Sequence, residues 1–99
     1  MRLTRVEAGG EMYFVYVLLS EVYSKTYVGI TNDVRRRLSE HNAGEHIYTK
    51  RYVPWRLVYK EGCVTRNLAR KKEVYLKSAA GRKWLKKNIF NPMPGWRNW

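Results

Sequence analysis

The sequence predicts a small α/β sandwich in which helices flank a mainly antiparallel sheet of three strands, in the order β-β-α-β-α-α. Two runs rich in β-branched and aromatic residues follow each other closely, which is typical of a hairpin. Apolar residues with helical spacing then begin after Asp33 and again after Thr65, and both residue types cap helices well. The 99 residues suffice for one domain with one modest core.

The predicted hairpin precedes the first helix. Residues 12–19 are apolar and lack a helical charge pattern, which predicts a strand buried on both faces. After a turn with two serines, residues 26–31 form the second strand. Asn32 or Asp33 then caps a helix that ends before Gly44.

The second half of the chain supplies the third strand and two further helices. Residues 55–60 follow a polar loop and read as the third strand. Thr65 caps a second helix that reaches about Ala79. Gly81 breaks this helix, and residues 82–89 form a shorter third helix.

Both termini are expected to lie outside the folded domain, which spans residues 12–90. We expect residues 1–11 to be a flexible extension and residues 91–99, with two prolines, to be an irregular tail. The apolar run at residues 13–19 is too short to span a bilayer, and no signal-peptide pattern precedes it. Cys63 is the only cysteine, which excludes an internal disulfide, so we expect a soluble cytoplasmic protein.

The charge balance indicates a polyanionic partner. Twenty Lys and Arg residues against eight Asp and Glu give a net charge of +12 and a pI near 10.1. Such a charge opposes the compaction of a small domain, and nucleic acid is the usual reason for it. The alternative is a basic surface that merely faces water.

Two tyrosines on the predicted hairpin are candidate functional residues. A four-residue turn would pair Leu19 with Ser24 and set Tyr16 opposite Tyr27, with both side chains on one face. Gly29 lies two residues further, and a glycine within a strand often marks a close approach of ligand or backbone. The alternative is simple packing, because tyrosine is common in strands.

The first helix places two further polar residues beside its apolar stripe. Val34 and Leu38 share a face with Arg37 and His41, at helical spacing. The planar fork of arginine suits phosphate. The alternatives are an arginine that snorkels at the edge of the stripe and a structural histidine.

Glu73 is the only acidic residue between residues 66 and 87, a segment rich in Lys and Arg. A carboxylate at the core edge of a basic helix is costly unless it is paired or binds a metal. Magnesium commonly uses one or two carboxylates together with water and phosphate oxygens. The alternative is an ion pair with Arg70, Lys72 or Lys77.

From about Tyr13 to Ile89 the chain resembles the GIY-YIG endonuclease superfamily. The resemblance is carried by an ordered set of residues: Tyr16, Tyr27-Val28-Gly29, Arg37, His41 and Glu73. The segments Tyr48-Thr49-Lys50-Arg51 and Lys77-Ser78-Ala79-Ala80-Gly81 resemble its small stand-alone branch. Two positions depart from the pattern. The first motif reads Phe14-Val15-Tyr16 without glycine, and Ile30 stands where the incision subunit of bacterial excision repair carries a lysine.

The resemblance implies a role for each candidate. Tyr16 would help to deprotonate the attacking water, Tyr27 would position water or phosphate, and His41 would accept or relay the proton. Arg37 would neutralise charge on the phosphate, and Glu73 would hold one Mg²⁺ or Mn²⁺ ion. Relatives also place an asparagine near the end of the domain, and Asn88 and Asn91 are both candidates.

The expected function is therefore that of a metal-dependent endonuclease (a hydrolase) that acts on DNA rather than RNA. Structure-selective cleavage in DNA repair or recombination is the expected form of this activity. A protein partner or a homodimer would supply specificity. The alternatives are a non-catalytic basic binding module on the same fold and a structural RNA-binding protein. The residues expected to contact phosphate or nucleic acid are Gly29, Arg35, Arg36, Lys50, Arg51, Arg70 and Lys72.

Overall fold

The computed structural model describes residues 12–91, so the expected N-terminal extension and residues 92–99 of the expected tail lie outside the described residues. The predicted order of elements, β-β-α-β-α-α, is confirmed. A 3₁₀ turn precedes the third strand, and a π turn follows the last helix. The elements are β1 (Tyr13–Ser20), β2 (Thr26–Thr31), α1 (Val34–Asn42), the 3₁₀ turn (Thr49–Tyr52), β3 (Trp55–Cys63), α2 (Arg66–Lys77), α3 (Ala79–Leu85) and the π turn (Lys86–Phe90).

The sheet is antiparallel with the order β2-β1-β3, so β1 is the central strand. Every residue from Val15 to Ser20 is buried, as expected for a strand that is covered on both faces. Alternate side chains of β1 enter two clusters. Val15 and Val17 pack with Leu85 and Phe90 on the α2–α3 side. Tyr16 and Leu18 pack on the other side, where Leu38 of α1 and Trp55 contribute.

The predicted register of the hairpin was wrong by two residues. Leu19 pairs with Thr26, and Tyr16 lies opposite Gly29 rather than Tyr27. The turn is longer than expected because the Ser20 hydroxyl accepts hydrogen bonds from the backbone N–H groups of Val22 and Tyr23. A shift of two residues leaves side chains on the same face, so Tyr16 and Tyr27 remain neighbours.

The boundaries of the second and third helices also differ from the prediction. The break falls at Ser78, whose hydroxyl accepts from the Gly81 N–H at 3.2 Å and donates to the Tyr75 carbonyl at 2.6 Å. Gly81 lies inside α3, where an added Cβ would overlap the Tyr75 carbonyl. Glycine is thus needed for the close approach of α3 to the end of α2, and it does not end α2. The third strand extends beyond residue 60 to Cys63, because it pairs with the start of β1.

The start and end of α1 follow the expected capping rules. Asp33, rather than Asn32, accepts the hydrogen bond from the Arg36 N–H at 3.0 Å. Gly44 adopts a φ of 81° just beyond the helix, a conformation that glycine accommodates without strain. These two residues fix the length of α1 and therefore the position of His41 in its last turn.

Gly29→Ala is expected to destabilise the fold by about 1–3 kcal/mol, the usual range for overpacking a filled site. An added Cβ would lie 2.7 Å from the Tyr16 hydroxyl and 2.9 Å from Tyr27 Cε2. Urea unfolding at neutral pH measures the change. The matched control is Gly62→Ala, whose Cβ would mainly meet the flexible end of Met12. Equal unfolding free energies for the two variants would contradict the assignment of Gly29 as space for Tyr16.

Candidate active site

A buried chain of three hydrogen-bonding side chains lies on the α1 side of the sheet. The Tyr16 hydroxyl is 3.0 Å from Nε2 of His41, and Nδ1 of His41 is 2.8 Å from the Thr49 hydroxyl. All three residues are buried, with exposures of 1% or less. Each comes from a different element: β1, α1 and the 3₁₀ turn. The arrangement can pass a proton from the phenol towards the imidazole.

His41 is neutral at physiological pH. Burial is the main reason why its pKa falls from 6.5 to about 4, and the nearby charges of His46 and Arg37 act in the same direction. Glu40 opposes them only in part. A neutral imidazole carries one proton, so one of its nitrogens is an acceptor. When Nδ1 donates to Thr49, Nε2 accepts from the Tyr16 hydroxyl.

Tyr16 itself is held in its protonated form. Burial raises the pKa of its phenol above the usual value of 10, and Tyr27, Glu73 and Glu40 act in the same direction. Arg37 lowers that pKa, but burial outweighs it. Removal of the Tyr16 proton therefore needs an acceptor in direct contact, and His41 is placed to act as one.

Tyr27 packs against both members of the central pair. Its ring centroid lies 6.2 Å from that of Tyr16 and 4.8 Å from that of His41. Tyr48 continues the aromatic cluster at 6.5 Å from Tyr27 and is half exposed. The space beside Gly29 is filled by the hydroxyl end of Tyr16. Tyr27 thus stands between the buried hydrogen-bond chain and the surface.

Arg37 lies beside this cluster with 30% of its side chain exposed. Its Nε is 3.1 Å from Oε1 of Glu40, yet the N–H is not directed at that oxygen and has no hydrogen-bond partner among the described residues. The contact is therefore an ion pair without a good hydrogen bond. Glu40 also lies 3.2 Å from Arg36 and 3.5 Å from His46.

Glu73 is held by two cations, as the ion-pair alternative anticipated. Arg70 donates to one carboxylate oxygen at 2.7 Å and Lys77 donates to the other at 3.0 Å. Lys72 pairs instead with Glu61 at 3.3 Å. Burial works to raise the pKa of Glu73, but the hydrogen bonds and charges of Arg70 and Lys77 outweigh it and lower that pKa. Glu73 is therefore an ionised carboxylate with only 10% of its side chain exposed.

The donor set around Glu73 suits magnesium only with the help of other oxygens. Among residues 12–91, no group of three or more His, Cys, Asp and Glu side chains could hold a metal ion. One ionised carboxylate fits the habit of Mg²⁺, which takes its remaining ligands from water and phosphate. Each carboxylate oxygen has a second lone pair, so the ion pairs do not exhaust its capacity.

The remaining basic residues expected to contact nucleic acid lie at the surface. Arg35, Lys50 and Arg51 are exposed, and the last two belong to the 3₁₀ turn that carries Thr49. Arg36, Arg70 and Lys72, in contrast, are engaged in ion pairs. Asn88 is exposed and donates its amide to the Trp84 carbonyl, and the choice between Asn88 and Asn91 stays open.

Sequence reasoning missed Thr49, Glu40 and His46. Thr49 lies in a polar loop without periodicity, and only its place within Tyr48-Thr49-Lys50-Arg51 drew attention to it. The Glu40 side chain pairs with Arg37 and His46, beside the predicted face of α1. The His46 ring stacks 4.5 Å from that of His41. Such contacts depend on the path of a loop, which hydrophobic periodicity does not encode.

Comparison with known proteins finds a matching family, similar proteins and a similar solved structure. Residues 12–88 match the GIY-YIG catalytic domain family. A UPF0213 protein of Desulfotalea psychrophila is 35% identical over 76% of this chain and 69% of its own length. A UPF0213 protein of Haloquadratum walsbyi is 41% identical over 69% of this chain and 76% of its own length. The solution NMR structure of a UPF0213 protein from Bacillus halodurans has a TM-score of 0.47 and 29% identity, covering 77% of this chain and 83% of that one.

Within residues 12–91, no helix has the length and apolar character needed to cross a membrane.

The buried imidazole of His41 should make stability depend on pH. The unfolded chain takes up a proton near pH 6.5, whereas folded His41 does so only near pH 4, so the free energy of unfolding should fall as pH falls through this window. The loss between pH 7 and pH 5 should be about 2 kcal/mol. Urea unfolding of the parent and of His41→Gln measures it, because the variant lacks this contribution while the other groups remain. An NMR titration that finds an ordinary pKa for His41 would contradict the assignment.

Proposed function

The chain belongs to the GIY-YIG family, a nuclease-type family, and from this premise we propose that it is a metal-dependent endonuclease that hydrolyses nucleic-acid phosphodiester bonds, in DNA rather than RNA. The observation that carries the proposal is the buried hydrogen bond between Tyr16 and His41. Arg37 lies within electrostatic range of the same phenol, and so does Glu73. The proton acceptor His41 is thus accompanied by a cation for the phosphate, Arg37, and by a carboxylate for a metal, Glu73.

Tyr16 and His41 act together as the base. Ionisation of Tyr16 alone is unfavourable, because burial raises the pKa of its phenol. The phenol can instead pass its proton to His41 Nε2 while the oxygen takes a proton from the attacking water. No free phenolate then accumulates. Thr49 lies 2.8 Å from Nδ1 of His41, and by accepting from that nitrogen it would hold the imidazole in the required tautomer and stabilise the imidazolium that forms.

The charges around the phenol suit a phosphate. Arg37 presents a guanidinium that can donate two parallel hydrogen bonds to phosphate oxygens, and its buried Nε–H awaits an acceptor. Glu73 would hold the divalent ion, which when bound supplies Lewis-acid neutralisation of phosphate charge. Tyr27, whose ring centroid lies 4.8 Å from that of His41, would position the phosphate or the water.

The surface around the site supports nucleic acid as the substrate. Exposed Arg35, Lys50 and Arg51 can neutralise backbone phosphates. Tyr48 and Tyr52 form an aromatic pair with centroids 5.4 Å apart and flank Lys50 and Arg51 in the chain. Aromatic faces next to cations suit nucleic acids, since bases stack on them.

A non-catalytic binding module on the same fold is the second candidate. The observation that favours it is the state of Glu73, whose two carboxylate oxygens are both engaged by cations. Both candidates predict binding to nucleic acid that weakens with salt. Only the first predicts that a supercoiled plasmid is nicked in the presence of Mg²⁺ or Mn²⁺.

Tyr16→Phe should reduce plasmid nicking on the order of a hundredfold or more, the usual scale for a lost general base. The substitution keeps the ring and its packing but removes the proton-transfer group. Tyr75→Phe is the matched control, because it removes an exposed hydroxyl from α2, and it should nick at the parent rate. Nicking by Tyr16→Phe at the parent rate from pH 6 to pH 9 would make Tyr16 a packing residue and overturn the mechanism.

Glu73→Gln should abolish nicking while DNA affinity stays equal or rises slightly, because the change removes a negative charge near phosphate. Its melting temperature should change little, since the two partner cations are more than half exposed. Glu61→Gln is the control, because it also removes a carboxylate that pairs with a lysine of α2. If Glu73 serves only as an ion-pair partner, the variant will nick at the parent rate, and that result would overturn its role as a metal ligand.

A further inference from the structure

A groove runs along the free edge of β2 and reaches the two helices behind the sheet. Its volume is about 470 Å³. Three cationic side chains line it, Lys25 from the hairpin turn, Lys77 from the end of α2 and Arg82 from α3, and the tyrosines Tyr27 and Tyr48 form part of its wall. Cations that converge on an open groove beside aromatic rings suit a phosphate group of a nucleic acid.

Lys77 belongs to this groove and to the Glu73 ion pair at the same time. Its Nζ lies 3.0 Å from Oε2 of Glu73. The Lys77 side chain is 53% exposed, whereas that of Glu73 is only 10% exposed. Lysine has a long flexible stem, so Lys77 can turn towards the groove while the carboxylate stays in place.

We propose that the β2-edge groove binds a backbone phosphate of the nucleic acid and that this phosphate draws Lys77 away from Glu73, so that Glu73 offers an oxygen to the metal ion only once nucleic acid is bound. This inference rests on the proposed function and assigns Lys77 a positioning role at the metal site. Glu73 is the ligand that Lys77 controls.

The exchange is physically reasonable because the two competing contacts differ in strength. The pair joins residues four apart on a helix, and its lysine is 53% exposed, so solvent weakens the hold of Glu73 on Lys77. A phosphate in the groove would contact Lys77 together with Lys25 and Arg82, and each of these hydrogen bonds is charge-assisted. Arg70 remains on the other oxygen of Glu73 at 2.7 Å and keeps the carboxylate oriented.

The coupling must act in both directions. If nucleic acid raises the affinity of Glu73 for metal by some factor, metal raises the affinity for nucleic acid by the same factor. The free protein would then bind metal weakly, and the metal site would be complete only in the complex. Such an order of binding restricts hydrolysis to nucleic-acid strands that fill the groove.

Mn²⁺ binding, followed by electron paramagnetic resonance, tests the inference without reading activity. The parent protein is titrated with Mn²⁺ alone and then with a phosphorothioate DNA oligonucleotide that resists cleavage. We expect the oligonucleotide to tighten Mn²⁺ binding about tenfold, a typical size for coupling between sites. A methylphosphonate oligonucleotide of the same sequence, which lacks backbone charge, should give no such gain.

Three variants separate the role of Lys77 from a general effect of charge. Lys77→Gln should tighten Mn²⁺ binding by the free protein and lose most of the gain from the oligonucleotide. Lys25→Gln removes a groove cation that does not pair with Glu73, so it should weaken oligonucleotide binding and leave Mn²⁺ binding by the free protein unchanged. Lys71→Gln removes a cation of α2 that lines a different groove, and it should behave as the parent.

The two proposals fail in different ways. Equal Mn²⁺ affinity with and without the oligonucleotide, together with parent-like binding by Lys77→Gln, would overturn the inference and leave the endonuclease proposal standing. If Glu73→Gln binds Mn²⁺ as tightly as the parent does, both as the free protein and in the complex, both proposals fall.

Discussion

The buried chain from Tyr16 through His41 to Thr49 is the constraint on which the rest of the structure depends. Its polar groups lie away from water, so each needs a partner in a fixed position. The 3₁₀ turn is held by Trp55, whose indole N–H donates to the Thr49 carbonyl at 2.8 Å. The side-chain amide of Asn42 in turn holds the backbone of Trp55. Its oxygen accepts from the Trp55 N–H at 2.6 Å, and its nitrogen donates to the Trp55 carbonyl at 3.1 Å. The end of α1, the loop and the start of β3 are thereby locked around one imidazole.

The central position of β1 explains how one small domain can serve both a core and a site. A strand covered on both faces places alternate side chains in two layers, and Tyr16 enters the layer next to α1. Glu73 belongs to α2, yet its charge acts on the Tyr16 phenol in opposition to that of Arg37. A cation bound at Glu73 would offset the smaller part that Glu73 adds to the raised pKa of Tyr16, whose main cause is burial. Occupancy of the carboxylate and acidity of the phenol are therefore linked through the field across the sheet.

Features that follow from regular periodicity could be predicted from the sequence, whereas features set by single side-chain hydrogen bonds or by contacts between distant elements could not. The face shared by Val34, Arg37, Leu38 and His41 follows from helical periodicity, and α1 has the expected bounds. The hairpin register was missed because a single hydroxyl, that of Ser20, lengthens the turn. The helix break moved from Gly81 to Ser78 because the Ser78 hydroxyl caps α3, whereas Gly81 serves the close packing of α3 on the end of α2. Of the partners considered for Glu73, Arg70 and Lys77 bind it and Lys72 does not, which depends on where Glu61 of β3 lies.

The cations and carboxylates of the candidate site are paired with one another in the free protein. Arg37 pairs with Glu40, and Glu73 with Arg70 and Lys77, although the chain carries a net charge of +12. Local pairing lowers the cost of placing ionised groups beside a core, and that cost would otherwise fall on a small domain with little stability to spare. The pairs are short in sequence and open to water on one side, so a polyanion can compete for their cations. The Arg37–Glu40 contact already lacks a directed hydrogen bond, and the buried Nε–H of Arg37 would gain one from a phosphate oxygen. In the free protein the charges of the site thus balance one another. A phosphate, with its several acceptor oxygens, is chemically suited to take the place of the carboxylates on these cations.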